Sequence, residues 1–255
     1  MQTVMFTDTI FGPIPSRRLG TSLGVNLNPT DGKICSFDCL YCEAGFNAQG
    51  RGTSGQPDTA TVSRLLEQRL AAMAAEGAPL DVITFSGNGE PTVNPHFPEI
   101  IAETLRLRDK YYPDVKVSVL TNSTMLHSPR IVEALHKVDN AILKLDSAID
   151  SSIRYLDRPV NPDFNADTVI NQIAGFGSKA IVQTMICRCP GFDNSTEAEI
   201  NALIEAYRRI NPRLVMLYSI DRPTPDTTLR RVDPDTLRAI AARITATTDI
   251  PVQTA

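Results

Sequence analysis

The 255-residue chain has no tryptophan, only three histidines, and no apolar run near the roughly 20 residues that a membrane-spanning helix requires. Its first residues, MQTVMFTDTI, lack a charged stretch followed by an apolar signal core, so the sequence reads as cytoplasmic, with no membrane attachment. Neither sign of charge is in excess. The 25 Lys and Arg face 29 Asp and Glu, and a net charge of −4 offers phosphate backbones no general attraction. Nucleic-acid binding would therefore need a local basic patch that the overall charge does not indicate. With 42% hydrophobic and 21% charged residues the composition excludes disorder and fibrous structure, and the length suits a single domain over 1–255. The five cysteines are odd in number and sit in a long, apparently intracellular chain, which argues against a disulfide framework and for thiolate ligation.

Short β-branched runs alternate with amphipathic stretches along the whole chain. Strands are predicted at 23–27, 80–86, 116–121, 140–146, 180–187 and 213–219, several of them apolar at most positions, as strands buried on both faces are. The segments between them carry helix signals: 62–76 stops before Gly77, Ser128 precedes Pro129, Thr196 and Glu199 have capping-box spacing, and Asp233 precedes Pro234. The pattern predicts an α/β fold with a parallel sheet covered by helices, either open and doubly wound or a partly closed barrel. In both architectures the C-terminal strand ends share the functional face. Polar residues gather there: the turn 86–91, Asn122 and Ser123, Lys144, Asp146 and Ser147, and Asp221 and Arg222. Residues 44–58, rich in Gly, Gln, Ser and Thr, are predicted as a flexible connection or lid.

Cys35, Cys39 and Cys42 form a CxxxCxxC motif in the loop 33–45, a spacing that five cysteines in 255 positions produce by chance only about 0.002 times. Three thiolates on one short loop can converge on a metal centre. A structural zinc site normally takes four ligands, and none of His96, His127 or His136 is local to this loop. An iron–sulfur cubane held by three cysteines instead leaves one iron open to a small molecule.

A CxxxCxxC motif after the first strand of a βα chain, with Tyr41 just before the third cysteine, resembles the radical S-adenosylmethionine superfamily. The resemblance implies a partial (βα)6 barrel in which Cys35, Cys39 and Cys42 hold a [4Fe–4S] cluster. It implies further that the open iron chelates S-adenosylmethionine, which a one-electron reductant such as flavodoxin or ferredoxin allows to be cleaved to a 5′-deoxyadenosyl radical. Gly87, Asn88, Gly89 and Glu90 are similar to the family's glycine-rich turn after strand two, which receives the methionine ammonium. By the same resemblance Asn122 hydrogen-bonds the cofactor, Asp146 meets the ribose hydroxyls, and Lys144 meets a carboxylate of cofactor or substrate. Period-two geometry places Lys144 and Asp146 on one face of their strand, where an internal ion pair is the competing role. Gln183 has the same inward potential.

Residues 11–20 (FGPIPSRRLG), together with 144–147, 156–159 and 220–223, resemble the branch of wyosine-synthase-related Fe–S oxidoreductases. The activity this implies is that of a radical enzyme of unassigned substrate, with modification of a tRNA base or activation of a partner protein as alternatives, and a non-catalytic zinc scaffold as a rival of another class. Arg17, Arg18, Arg158 and Arg222 are candidates for an anionic substrate. Cys187 and Cys189 close the fifth predicted strand as structural thiols, as a substrate-contacting or redox thiol near the active face, or as ligands of an auxiliary metal. Only 250–255 come after the last predicted helix, which leaves the barrel mouth to be completed by a large substrate or a protein partner.

Overall fold

The computed structural model describes residues 4–16 and 18–255, so the expectation for Arg17 lies outside the described residues. The chain begins with an antiparallel hairpin, β1 (Ile10–Ser16) and β2 (Gly20–Val25), and then alternates: α1 (Thr59–Ala75), β3 (Val82–Phe85), α2 (Phe97–Tyr111), β4 (Lys116–Thr121), α3 (Pro129–Lys137) and β5 (Asn140–Lys144). Next come α4 (Asp150–Leu156), α5 (Ala166–Phe176), β6 (Ile181–Met185), β7 (Cys187–Cys189), β8 (Phe192–Asp193), α6 (Glu197–Ile210), β9 (Leu214–Tyr218), β10 (Arg230–Arg231), α7 (Pro234–Thr248) and β11 (Val252–Thr254). The main sheet runs β1-β2-β3-β4-β5-β6-β9-β11, parallel throughout except for β1. Its six central strands are the six predicted ones, and they curve into a partial (βα)6 barrel.

Period-two alternation sorts the side chains. On β5, Leu143 joins the large core under the helices, as does Leu145 just beyond, while Ile142 points into the lumen with Ile181 and Met216. Leu19, from the β1–β2 turn, packs into this luminal cluster. Helix α1 buries Val62, Leu66, Leu70 and Met73, spaced four, four and three apart on one stripe. It starts three residues before the predicted 62 because Asp58 accepts the Thr61 N–H and caps it there. Thr196 caps α6, but the predicted reciprocal bond is not made. The Glu199 carboxylate turns inward to accept from Ser147, at 2.6 Å, and from Ser152, tying α6 to the β5–α4 connection.

Three elements depart from the sequence expectation. β1 contains Pro13 and Pro15, which suit only an edge strand, and it takes the outer position beside β2. The fifth predicted strand, 180–187, stops at Met185. There the Asn194 amide donates to the carbonyls of Met185 and Asp146 and accepts the Cys187 N–H, sending the chain outward into a small sheet of order β10-β7-β8. Within the predicted flexible connection 44–58, Thr53 and Ser54 are tied down: Asp31 accepts from the N–H and hydroxyl of both, and these donors hold its carboxyl well below the usual range.

Candidate active site

The cysteine loop crosses the C-terminal ends of the strands and is held there by backbone. The Ile34 N–H donates to the Asn88 carbonyl at 3.2 Å and the Glu90 N–H to the Ile34 carbonyl at 3.0 Å, joining the loop to the turn after β3. From the other side, the N–H groups of Asp38 and Leu40 each donate at 2.9 Å, to the carbonyls of Asp157 and Leu156. Gly89 makes the first junction possible. Its φ is 130°, and a Cβ there would lie 1.9 Å from the Ile34 carbonyl oxygen.

Beneath this loop is a cavity of about 280 Å³ whose lining includes Cys35, Cys39, Cys42, Tyr41, Gly87, Gly89, Glu90, Asn122, Lys144 and Gln183. It abuts a second chamber of about 290 Å³ toward the β1–β2 hairpin, with Arg18, Gly87, Leu120 and Gln183 common to both. Residues 45–58 line neither chamber. The near rim is formed instead by 219–222 and Thr224, and an Arg222–Glu43 ion pair of 2.6 Å joins that rim to the cysteine loop. Part of the expected gap at the mouth is thus covered by the chain itself.

All five cysteines are free thiols. Burial pushes Cys35 up to about 11, with the nearby Glu90 charge adding to the effect, and burial also drives Cys39 well above the ordinary thiol value. A positive centre is what such thiols need in order to ionise. Among the described residues, no three His, Cys, Asp or Glu are arranged to hold a single metal ion. A mononuclear zinc site requires its sulfurs at about 2.3 Å from one point. A cluster takes each thiolate on a different iron and fits three thiols distributed around one cavity.

The predicted polar residues are brought together in two layers. Glu90 is 2% exposed and its carboxylate is fully engaged, accepting from the Thr92 N–H and hydroxyl, the Thr121 hydroxyl at 2.6 Å and the Asn122 N–H at 2.6 Å. Burial raises its pKa while those donors resist the rise. Asn122 donates to Ser36 Oγ at 2.8 Å, with the Cys35 Sγ 3.7 Å away. Lys144 lies 2.9 Å from the Cys39 Sγ, 2.5 Å from Asp157 and 3.3 Å from Asp146. The Asn88 side chain points away from the cavity, donating to the carbonyls of Phe6 and Pro29 and fixing the N-terminal segment. Asp146, expected at a ribose, sits behind the lining, where it accepts from the Tyr41 hydroxyl and, at 2.8 Å, from the Met185 N–H.

Sequence reasoning placed no role on Asp157, although its LDRP segment was visible as a motif; a partner for Lys144 at the end of a separate helix is invisible to spacing. Arg18 stacks 4.6 Å over the Tyr218 ring inside the lumen, whereas Arg158 lies over Phe46 and lines neither chamber. Cys187 and Cys189 also lie outside both chambers, Cys187 in an apolar cluster with Leu40 and Met185, and Cys189 against Tyr155.

Gln183 is 7% exposed, yet its Nε2 has no hydrogen-bond partner among the described residues. A buried donor that faces a cavity without a protein partner is open to a water or a ligand. Gln183→Met is therefore expected to raise the Tm of the ligand-free protein by about 2–4 °C, the equivalent of about 1 kcal/mol in a chain of this size. Differential scanning calorimetry checks this, and a fall in Tm would mean that the amide is structural.

Residues 30–207 match the Radical SAM superfamily model. A UPF0026 protein of Helicobacter pylori is 28% identical over 219 residues, covering 84% of this chain and 67% of its own. A UPF0026 protein of Synechocystis is 29% identical, covering 96% of both chains. In fold, the chain is similar to a radical SAM methyltransferase from Sphaerobacter thermophilus, with a TM-score of 0.67 at 17% identity, over 92% of this chain and 65% of that one. The chain thus spans about two thirds of the Helicobacter relative and slightly less of the methyltransferase. With three cavity-lining thiols in the CxxxCxxC spacing inside the matched span, the chain belongs to the radical S-adenosylmethionine superfamily, whose members are enzymes that bind a [4Fe–4S] cluster and S-adenosylmethionine.

Proposed function

We propose that Cys35, Cys39 and Cys42 hold the cluster and that S-adenosylmethionine binds in the adjoining cavity, for hydrogen abstraction from a substrate placed in the luminal chamber. The observation that carries this reading is that the three thiols, the glycine turn and the polar strand ends line one cavity. When bound, cluster and cofactor supply a 5′-deoxyadenosyl radical from one electron delivered by an external reductant such as flavodoxin or ferredoxin.

The chain's own residues supply placement. Gly87 and Gly89 line the cavity with backbone, the space that their side chains would need being taken by Asn26 and the Ile34 carbonyl, and Glu90 fixes the turn and the Asn122 backbone rather than presenting a free carboxylate. Asn122 steadies Ser36 beside Cys35, while Asp146 orients Tyr41 against Lys144. Leu120, Ile142 and Met216 make the inner chamber partly apolar, which keeps water from a reactive centre. The luminal Arg18 is positioned for an anionic group.

Anaerobic reconstitution is expected to yield four irons and four sulfides per chain, with 5′-deoxyadenosine released when a reductant and S-adenosylmethionine are added. Zinc without sulfide would overturn the reading.

A further inference from the structure

Lys144 leaves the end of β5 and enters the space beneath the cysteine loop, where its Nζ is 2.9 Å from the Cys39 Sγ. Its side chain is only 12% exposed, and the carboxylates of Asp157 and Asp146 lie at 2.5 and 3.3 Å, so the ammonium is paired within the fold. The rings of Phe37 and Tyr41 lie beside the ammonium, with centroids at 5.1 and 4.8 Å. Asp157 comes directly after α4, and its own carbonyl accepts the Asp38 N–H from within the cysteine motif. The fixed charge and the thiol it touches are therefore held in one frame, with little freedom to relax.

We propose that Lys144, positioned by Asp146 and Asp157, donates a hydrogen bond to the Cys39 thiolate and thereby raises the reduction potential of the iron–sulfur cluster. The inference rests on the reading that Cys39 is a cluster ligand. Reduction adds one negative charge to a thiolate-bound cluster in a poorly hydrated site, so a fixed ammonium beside one sulfur stabilises the reduced form more than the oxidised one. Hydrogen bonds to ligand sulfur act in the same direction. The two carboxylates offset part of the effect; what they contribute is the orientation of the ammonium toward the sulfur. Lys144 is thus a positioning residue for the electron rather than a group reserved for a ligand carboxylate.

The test is a redox titration followed by electron paramagnetic resonance, made without S-adenosylmethionine on anaerobically reconstituted wild type, Lys144→Met and the double variant Lys144→Met/Asp157→Asn. The double variant removes a carboxylate with the lysine and so avoids leaving both acids unpaired. Both variants are expected to keep four irons and to show a lower midpoint. For Lys144→Met, the reduced-to-oxidised ratio at the wild-type midpoint should fall about tenfold or more, which is about 59 mV for a one-electron couple. The double variant should fall less. Four irons with an unmoved midpoint would overturn the proposal, as would loss of the cluster from both variants with the circular dichroism of the fold intact, since the lysine would then serve only to hold the loop. Failure of the wild type itself to take up iron and sulfide is a different result and overturns the ligand assignment.

Discussion

Cys39→Ala is expected to lose the iron–sulfur cluster and all reductive cleavage of S-adenosylmethionine while remaining folded. Changes to the partners that merely orient metal ligands already alter metal affinity by about 10–100-fold, so loss of the ligand itself should exceed that. Cys39 is buried in the loop whose backbone is held by Asp157 and Leu156, and neither of those bonds uses its side chain. Removing one sulfur from such a position costs about 1 kcal/mol of stability. The control is Cys187→Ala, which deletes a more deeply buried thiol from an apolar cluster that lines no part of the cavity. It should destabilise by about 1–2 kcal/mol and keep the full iron content. Iron and sulfide determination, with urea denaturation of both variants, checks the pair. Equal iron in the two would contradict the ligand assignment.

Gly89→Ala should do comparable damage without touching a proposed ligand. The added Cβ would meet the Ile34 carbonyl oxygen at 1.9 Å, and that carbonyl is backbone already accepting the Glu90 N–H, so no side chain can swing away to make room. The φ of 130° adds conformational strain of its own. The loop must lift from the turn after β3, breaking both Ile34 bonds one residue before Cys35. A loss of about 3 kcal/mol or more in stability is expected, together with impaired cluster assembly. Urea denaturation and iron content measure both. A variant with wild-type stability and four irons would show that the junction is not what holds the loop in place.

The six central strands were legible because a strand buried on both faces needs apolar residues at nearly every position, and such runs stand out from amphipathic helices. β11 and the β10-β7-β8 sheet were not, since strands of two or three residues carry no readable period. The cysteine motif was legible through its spacing, and Gly89 through its place after a strand. Asp146 shows where spacing runs out: it shares the face of Lys144, but its oxygens are claimed by Tyr41 and Met185. Which of two polar residues on adjoining turns faces a cavity depends on long-range partners, up to 105 residues apart for Asp146 and Tyr41, and no local pattern encodes them. The same holds for the pairing of Lys144 with Asp157, where the fold alone brings a strand end and a helix end together.

The hairpin at one margin of the main sheet and β11 at the other have a mechanical consequence. A closed ring of strands has its radius fixed by strand number and stagger, so it can widen only by breaking ladder bonds. An arc that ends at β1 on one side and β11 on the other can change its curvature by small changes of twist spread across seven interfaces, with every hydrogen bond retained. The two chambers lie inside that arc, and Leu19 and Arg18 enter it from the turn that joins its two outermost strands at the β1 margin. An open arc leaves the bore free of the constraint that strand number and stagger impose on a closed ring, as in a split collar.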